Sequence, residues 1–279
     1  MSKNNNFIEH SIVGTLSFFK ESVFADEYAS KKEFLQKRDA RIKTATFLLL
    51  LLTVLFTRDV HFIAGMYLFV LALVCLSGIN ILFFLKRTWI FIPLFSLFIA
   101  IPALFSVFSP GEPLFVFNIF NIKLIITSQG LFASSLFVMR VVTSVSLVIL
   151  LTLTTKHNEL LKALRFFKIP QVFVMTLGMC YRYIYLFAGI IENTYLAIKS
   201  RAGFAVYHKK GREIVAWNIA SLWQRSYQFN NEVYNAMLSR GYRGEPQVLD
   251  EFKAGLIDWM VLVCSIIFFI LILIKGAGI

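Results

Sequence analysis

Apolar runs of near-bilayer length dominate this chain and limit what it can fold into. Four of them, residues 42–57, 60–85, 88–108 and 130–153, come first, and a fifth covers about 256–274. A helix needs about 20 apolar residues to cross the hydrocarbon core of a bilayer, and each run approaches or exceeds that length. The sequence therefore predicts an all-α integral membrane protein with about five transmembrane helices.

The composition points to a lipid bilayer as the environment of the chain. Hydrophobic residues make up 58 % of the sequence, 30 residues are Phe and only 16 % are charged, too apolar a mixture for one soluble domain of this length. The net charge of +12 raises the question of nucleic acid binding. The basic residues lie in short links and one long block between the apolar runs, however, as membrane topology requires, and this placement argues against nucleic acid as a partner.

Basic residues also orient the predicted bundle. The first 43 residues contain eight Lys or Arg, and residues 154–253 contain 14, against seven Asp or Glu. Two more basic residues stand at 86–87, whereas the other links carry only Arg58 and Lys123. Because Lys and Arg accumulate on the cytoplasmic side, we expect the N-terminus and the long block to be cytoplasmic in a plasma (inner) membrane protein.

Four regions follow from this topology. We predict a cytoplasmic amphipathic segment at 1–41, a four-helix transmembrane region at 42–153, a cytoplasmic block at 154–253 and a C-terminal transmembrane helix at 254–279. Within the second region, residues 109–129 carry a turn cluster of Pro and Gly and are expected to form an outer loop.

The block at 154–253 is predicted to contain about three cytoplasmic coupling helices. The first covers about 157–167, the second runs from Pro170 to about Arg201, and a third begins near Arg212. Apolar residues recur every three or four positions along the third helix, so one face is largely apolar and the other polar. Such a helix, about 40 Å long, requires a partner surface.

Two short arginine motifs stand at the ends of the two long helices of this block. Their residues are Ser200, Arg201 and Ala202, followed by Gly203, and Ser239, Arg240 and Gly241. Taken singly, each arginine would offset the dipole at a helix C-terminus that glycine ends. Two such motifs in one block favour another interpretation, because a guanidinium forms bidentate bonds with a carboxylate on a partner surface. We therefore predict that Arg201 and Arg240 bind partner subunits.

The sequence shows no chemistry of its own. It has no phosphate-binding glycine loop ending in Gly-Lys-Ser or Gly-Lys-Thr, and no nucleophile with a base at a recognisable spacing. The four histidines are scattered without the spacing of a metal site. We expect a non-catalytic protein without a cofactor or a bound metal.

Charges within the apolar runs need a separate explanation. Arg140 lies about ten residues inside an apolar run, where a charge is costly unless it pairs or faces a polar cavity. Ser134, Ser144 or a helix carbonyl are its expected partners, and Arg140 is a candidate intramembrane polar site. Lys43 and Arg58 flank the short first run and are expected to extend their charged ends toward the interface.

Several stretches of the chain resemble the CbiQ-type transmembrane T component (EcfT/CbiQ family) of energy-coupling-factor transporters. The resemblance covers most of the chain, from about Asp39 to Gly244. The matching stretches are Arg38 to Lys43, Thr127 to Leu131, Thr154-Thr155, Tyr181-Arg182-Tyr183, Gln224-Arg225-Ser226 and Tyr234 to Gly244. The last is the most specific, whereas in the first arginine motif an alanine separates Arg201 from Gly203.

The resemblance implies a set of partners and a mechanism. A T component links a pair of ATP-binding cassette subunits (CbiO-like) to a substrate-binding membrane subunit, or S component (CbiM-like), with a small accessory membrane subunit (CbiN-like). The two arginine motifs of the family insert into grooves of the two ATPases, which maps onto Arg201 and Arg240. ATP hydrolysis then belongs to the partners, and closure of the ATPase pair moves the two arginines relative to each other.

The resemblance favours cobalt as the transported ion, in connection with cobalamin biosynthesis. A nickel-specific or vitamin-type T component is a second interpretation. A stand-alone channel or carrier, with Arg140 as the pore residue, is a third and belongs to a different class. Co-purification separates these classes, because only a transporter component brings down ATPase subunits.

Two introduced cysteines test the predicted orientation. After the three native cysteines are replaced by serine, Asn118→Cys is expected to react with an impermeant thiol reagent added outside intact cells, and Lys209→Cys is not. Labelling at position 209 from outside contradicts the topology.

Overall fold

The helices and one hairpin of the chain follow each other in a simple order. The computed structural model describes residues 28–30, 33, 35–89, 92–103, 113–119, 122–202, 208–244 and 255–277. The elements are α1 (Ala40–Phe56), α2 (Val60–Leu76), α3 (Ile81–Trp89), α4 (Ile92–Ala103), β1 (Pro113–Ile119), β2 (Ile122–Thr127), α5 (Ser128–Thr154), α6 (His157–Phe166), α7 (Gln171–Ala202), α8 (His208–Ser239) and α9 (Leu256–Ala277).

Several of these helices are long and apolar enough to cross a membrane. Among the described residues, α5 and α9 each satisfy this condition alone, and α3 and α4 satisfy it together as a pair bent by 42°. The shorter α2 is also apolar along its 17 residues. The predicted all-α membrane fold is confirmed, and the runs at 130–153 and 256–274 coincide with α5 and α9.

Length and apolarity alone also admit a span that the sequence analysis did not assign. Residues Gln171–Ile198 of α7 meet the same condition, although they lie in the block expected to be cytoplasmic. The helix was predicted to run from Pro170 to about Arg201, and it runs to Ala202. The existence of this helix is therefore confirmed, and its placement relative to the bilayer stays a prediction.

Contacts divide the chain into two compact units, each with its own packing. The first, here called the bundle, comprises Asp26–Ala163 and Phe252–Ile279. Its central helix is α5, which packs against α1, α2, α3 and α4, while α9 packs against α1. Large side chains that are fully buried in the bundle are Val54, Ile63, Val70, Val74, Phe84, Leu147, Leu150 and Leu153. Aromatic rings of α9 complete it, with Phe269 against Phe56 and Phe268 against Phe62.

The predicted boundary between the second and third apolar runs is wrong. Helix α2 ends at Leu76, nine residues before the expected end, because Gly78 takes the left-handed φ of 62° that glycine adopts without cost. The amide of Leu82 then donates to Asn80 Oδ1 at 3.1 Å, and α3 begins. As a result, residues 86–87 lie in the last turn of α3 and not in a link between spans.

Residues 109–129 include a β-hairpin where an outer loop was expected. Strands β1 and β2 pair antiparallel, with Val116 opposite Ile125 and Asn118 opposite Lys123. The two strands pair with each other, so their backbone groups are satisfied locally. Residues 104–112 lie outside the described residues, and with them most of the predicted turn cluster.

The N-terminal segment is described only in part. Most of the amphipathic helix expected before residue 41 lies outside the described residues; residues 28–30 are helical, and 35–38 form a turn and a bend. Asp39 ends these turns because its side chain accepts a hydrogen bond from Arg41 N at 2.9 Å and caps α1. Just before this cap, Arg38 pairs with the buried Asp258 of α9 at 3.5 Å. A polar contact thus joins the starts of α1 and α9.

Lys43 does not extend toward the membrane interface as expected. Its side chain is only 5 % exposed, and Nζ donates to Leu35 O at 3.1 Å and to Thr154 O at 2.9 Å. A lysine buried this deeply must find acceptors inside the protein, and here two backbone carbonyls serve. Arg58 is exposed, and its extension toward the interface stays a prediction.

The second unit, here called the two-helix unit, lies within Leu164–Glu251 and is built from α7 and α8. Each helix has 32 residues, which at 1.5 Å per residue is about 48 Å. The ring of Phe229 on α8 contacts Tyr183 and Phe187 of α7, at centroid distances of 6.4 and 6.3 Å. Helix α8 starts at His208, four residues earlier than predicted.

Candidate functional site at two helix ends

The C-terminus of α8 is closed by backbone hydrogen bonds to the carbonyls of Met237 and Leu238. The amide of Tyr242 donates to Met237 O at 3.0 Å and the amide of Gly241 donates to Leu238 O, also at 3.0 Å. This pair of bonds is the Schellman arrangement, in which amides beyond the helix satisfy its last carbonyls. Arg240 occupies the cap position between helix and turn, and its amide donates to Met237 O at 3.1 Å.

Glycine at position 241 is required by backbone conformation and not by lack of space. Its φ is +79°, and a Cβ atom built there meets nothing within 4 Å. A left-handed conformation costs an L-residue roughly 1–2 kcal/mol, whereas glycine adopts it readily. The Arg-Gly pair predicted from the sequence therefore has a structural basis: the glycine turns the chain directly after the arginine.

The side chain of Arg240 is left exposed by this arrangement. Because backbone amides already satisfy the last carbonyls of α8, the guanidinium is not needed to cap them. Within the described part of the chain it forms no hydrogen bond or ion pair, and the residue is exposed. Ser239 uses its hydroxyl on its own helix, donating to Asn235 O at 2.9 Å. An exposed, unengaged guanidinium at a rigid helix end is suited to bind an acidic partner surface.

Arg201 has a similar setting at the end of α7. It is exposed in the last turn of this helix and, among the residues described, has no hydrogen-bond or ion-pair partner. The hydroxyl of Ser200 donates to Ala197 O at 2.9 Å, which parallels the bond of Ser239. Ala202 is the last residue of α7, and the left-handed stop expected at Gly203 lies outside the described residues.

The structure places the two arginines at opposite ends of α7. Beyond the turn at Gly241, Tyr242 returns to the start of α7, where its hydroxyl lies 3.1 Å from Met175 Sδ. From Met175 to Arg201 the helix advances 26 residues, about 39 Å at 1.5 Å per residue. The two motifs are therefore far apart and do not form one composite site.

The third candidate residue, Arg140, has a partner of one of the expected kinds. Its Nη2 donates to Thr57 O at 2.8 Å, a carbonyl at the end of α1, 83 positions away in sequence. Ser134 bonds elsewhere, to Ala100 O at 3.2 Å. The Nε atom of Arg140 is buried and has no acceptor among the described residues.

The sequence analysis missed one charged residue of this region. Lys43 was treated as a flanking charge, although it bonds Thr154 O across 111 positions. The available signal was its position. Lys43 follows the Asp39 cap by four residues, which places it one turn into the helix, at the start of the apolar run.

The described residues contain no group of three or more His, Cys, Asp or Glu that could hold a metal ion. His10 lies outside these residues, and His61 and His157 stand on different helices. The structure therefore offers no metal centre in the part of the chain that it describes.

Fold and site together define a multi-pass, mainly helical membrane protein with two exposed arginine helix ends. Residues 31–249 match the CbiQ family, described as cobalt transport protein. The chain belongs to this family of membrane transport components. The match includes both arginine motifs, the Asp39 cap and Arg140.

Two relatives are uncharacterized proteins of Methanocaldococcus jannaschii. Protein MJ1571 is 31 % identical over 281 residues, which cover 99 % of this chain and 94 % of that protein. Protein MJ1089 is 24 % identical over 188 residues, or 64 % of this chain and 70 % of that protein. The first likeness extends over nearly the full length of both chains.

Replacing Gly241 tests the helix end that positions Arg240. Gly241→Ala forces an L-residue into the left-handed region and is expected to cost roughly 1–2 kcal/mol locally. The amides of 241 and 242 should then exchange with deuterium faster, as measured by hydrogen exchange and mass spectrometry. The control is Gly189→Ala inside α7, where a Cβ atom meets nothing within 4 Å and alanine favours the helix. Unchanged exchange at the end of α8 contradicts the account of Gly241.

Proposed function

We propose that this chain is the transmembrane coupling component of an energy-coupling-factor importer, and that it links ATP hydrolysis in partner subunits to uptake by a membrane substrate-binding subunit. The observation that carries the proposal is Arg240: it stands exposed at a helix end where backbone amides already bond the carbonyls of Met237 and Leu238. A capping role does not explain this exposed guanidinium. A groove with acidic residues on an ATPase subunit would offer it carboxylates to bind.

Two such points support two ATPase partners. Arg201 and Arg240 lie at opposite ends of α7, so one small partner surface does not reach both. Each arginine ends a long helix, and each is preceded by a serine whose hydroxyl is bound within the helix. A pair of ATP-binding cassette subunits, each with its own groove, matches this spacing. Closure of the pair on ATP binding then pulls on two ends of one rigid unit.

The exposed surface of α8 supports a further membrane partner. Ile219, Trp223 and Tyr227 follow each other at four-residue spacing and are 63 %, 81 % and 68 % exposed. An exposed stripe of large apolar side chains on a helix marks a contact surface. We assign this surface to the substrate-binding subunit.

The proposed orientation keeps α6, α7 and α8 on the cytoplasmic side, at the membrane surface. Helix α7 is apolar enough to cross, but a crossing there would place the basic residues at 209, 210 and 212 outside, against the positive-inside rule. Helix α7 also carries Arg182, about a third of the way along its length. An amphipathic helix at the interface accommodates both features.

Cobalt is the proposed substrate, because the family is described as cobalt transport protein. We place the ion in the partner substrate-binding subunit and not in this chain. The competing class, a stand-alone channel or carrier, would use Arg140 as its pore residue. The bond from Arg140 to the end of α1 favours a role inside the bundle.

Alanine substitutions at the two motifs test the coupling proposal. Arg201→Ala and Arg240→Ala are expected to accumulate normally in the membrane, since both side chains are exposed. Removing one partner of a desolvated charge pair costs about 2–5 kcal/mol, which is at least roughly a thirtyfold loss of affinity for the ATPase. Loss of a dipole interaction alone would cost about 0.3–1 kcal/mol. Retention of the ATPase subunits through detergent purification, together with uptake, measures the difference.

Arg165 provides the matched control for these variants. It is likewise an exposed arginine in the last turn of a helix, α6, but it lacks the preceding serine and following glycine. Arg165→Ala should leave ATPase retention unchanged, and the lysine variants of Arg201 and Arg240 should rescue poorly because lysine lacks the planar fork. The proposal fails if both alanine variants keep the ATPases and transport normally.

A further inference from the structure

A buried lysine and a partly buried arginine of the bundle each bind the end of the other's helix. Lys43, near the start of α1, donates from Nζ to Thr154 O at 2.9 Å, and Thr154 is the last residue of α5. Arg140, on α5, donates from Nη2 to Thr57 O at 2.8 Å, and Thr57 caps the end of α1. Each cation therefore lies where a helix exposes unsatisfied carbonyls and the negative end of its dipole.

The two contacts are spaced equally along both helices. Thr57 follows Lys43 by fourteen residues, and Thr154 follows Arg140 by fourteen residues. Crossed contacts of this kind require α1 and α5 to run antiparallel, about 21 Å apart along the helix axis at 1.5 Å per residue. Both hydrogen bonds fit the same register, so the contact that remains after loss of the other still opposes a slip of one turn, about 5.4 Å.

The helix faces between these contacts are buried. On α1, Phe47 follows Lys43 by four residues and Val54 follows Phe47 by seven, so the three residues lie on one face of the helix. On α5, Thr143, Leu147 and Leu150 share the face of Arg140 and Thr154, and all three are at most 1 % exposed. In the antiparallel register set by the cations, Phe47 lies level with Leu150 and Val54 with Thr143.

Apolar packing alone specifies this register weakly. Residues 48–52 of α1 are five consecutive leucines, so neighbouring registers present nearly the same apolar surface. In a bilayer, apolar side chains also gain little by leaving lipid for another helix. Polar groups that must meet their partners select one register among such alternatives.

We propose that Lys43 and Arg140 are a reciprocal clamp: positioning residues that fix the register of α1 against α5 and hold the end of α5 from which α6 departs. Helix α6 begins at His157, three residues after Thr154. Lys43 also bonds Leu35 O at 3.1 Å, so the clamp joins the segment before α1 to the same point. The clamp thus fixes the point in the bundle from which the chain continues into α6.

Disulfide formation at each end of the clamp tests the proposal on the full chain in membranes. In a background with the native cysteines replaced by serine, one pair is Phe47→Cys with Leu150→Cys, near Lys43. The other pair is Val54→Cys with Thr143→Cys, near Arg140. Lys43→Met is expected to slow oxidation of the first pair about tenfold, since a hydrogen bond to a charged group is lost there, and to change the second less than about twofold. Arg140→Met is expected to do the reverse.

The control is Arg58→Met, which removes an exposed cation next to Thr57 and should alter neither rate. Arg140→Lys keeps a charged donor and should retain most of the rate at its own end. Equal slowing of both pairs by each variant, or no slowing at all, overturns the clamp. Failure of both single variants to accumulate also overturns it, because two separate contacts predict that one end holds when the other is cut.

A second readout rests on the proposed function. In the assembled transporter, Lys43→Met should keep its ATPase subunits and their ATP hydrolysis, while cobalt uptake per ATP falls severalfold. An unchanged ratio overturns the link between the clamp and coupling. Absence of ATPases from the unsubstituted chain would instead refute the proposed function, and the disulfide rates would still decide on the clamp itself.

Discussion

The carbonyl groups at helix ends are the constraint on which the rest of this structure depends. Hydrocarbon offers them no water, so a helix that ends inside a bundle needs donors from the protein itself. Here the donors are two cations. Lys43 of α1 binds the end of α5, and Arg140 of α5 binds the end of α1. A charge inside a membrane is costly unless it has a partner. The helix-end carbonyls are the partners of Lys43 and Arg140, and the two contacts align α1 with α5. Since α5 packs against four other helices, its alignment with α1 also affects how those helices are placed along the bundle.

The end of α8 in the two-helix unit solves the same problem differently. At the end of α8 the backbone itself supplies the donors, through the turn that Gly241 permits. The guanidinium of Arg240 is therefore left exposed and ready for a partner. Basic side chains thus have two roles. Where backbone amides already bond the neighbouring carbonyls, the cation stays exposed, and where they do not, the cation bonds the carbonyls itself. The proposed coupling mechanism depends on this division, because an arginine occupied by its own helix end could not bind an ATPase.

Much of this architecture can be predicted from local sequence. The rest depends on a backbone angle, on a turn signal that suggested a loop, and on contacts between distant residues. Helices α5 and α9 follow from uninterrupted apolar runs, and the end of α8 follows from an arginine followed by glycine. The break at Gly78 was missed because the apolar run continues through it, and only a backbone angle marks it. The hairpin at 113–127 was missed because its apolar residues lie next to a strong turn signal that suggested a loop. The contacts of Lys43 and Arg140 span 111 and 83 positions, and no local pattern reports which carbonyl a cation will reach.

The composition of the purified native assembly tests the central claim most directly. The unsubstituted chain, extracted in mild detergent and weighed by native mass spectrometry, should carry two ATP-binding cassette subunits and a membrane substrate-binding subunit. Dissociation of the ATPases alone should leave the membrane subunits together. A chain that purifies without ATPases, and that transports cobalt by itself after reconstitution into vesicles, would contradict the account.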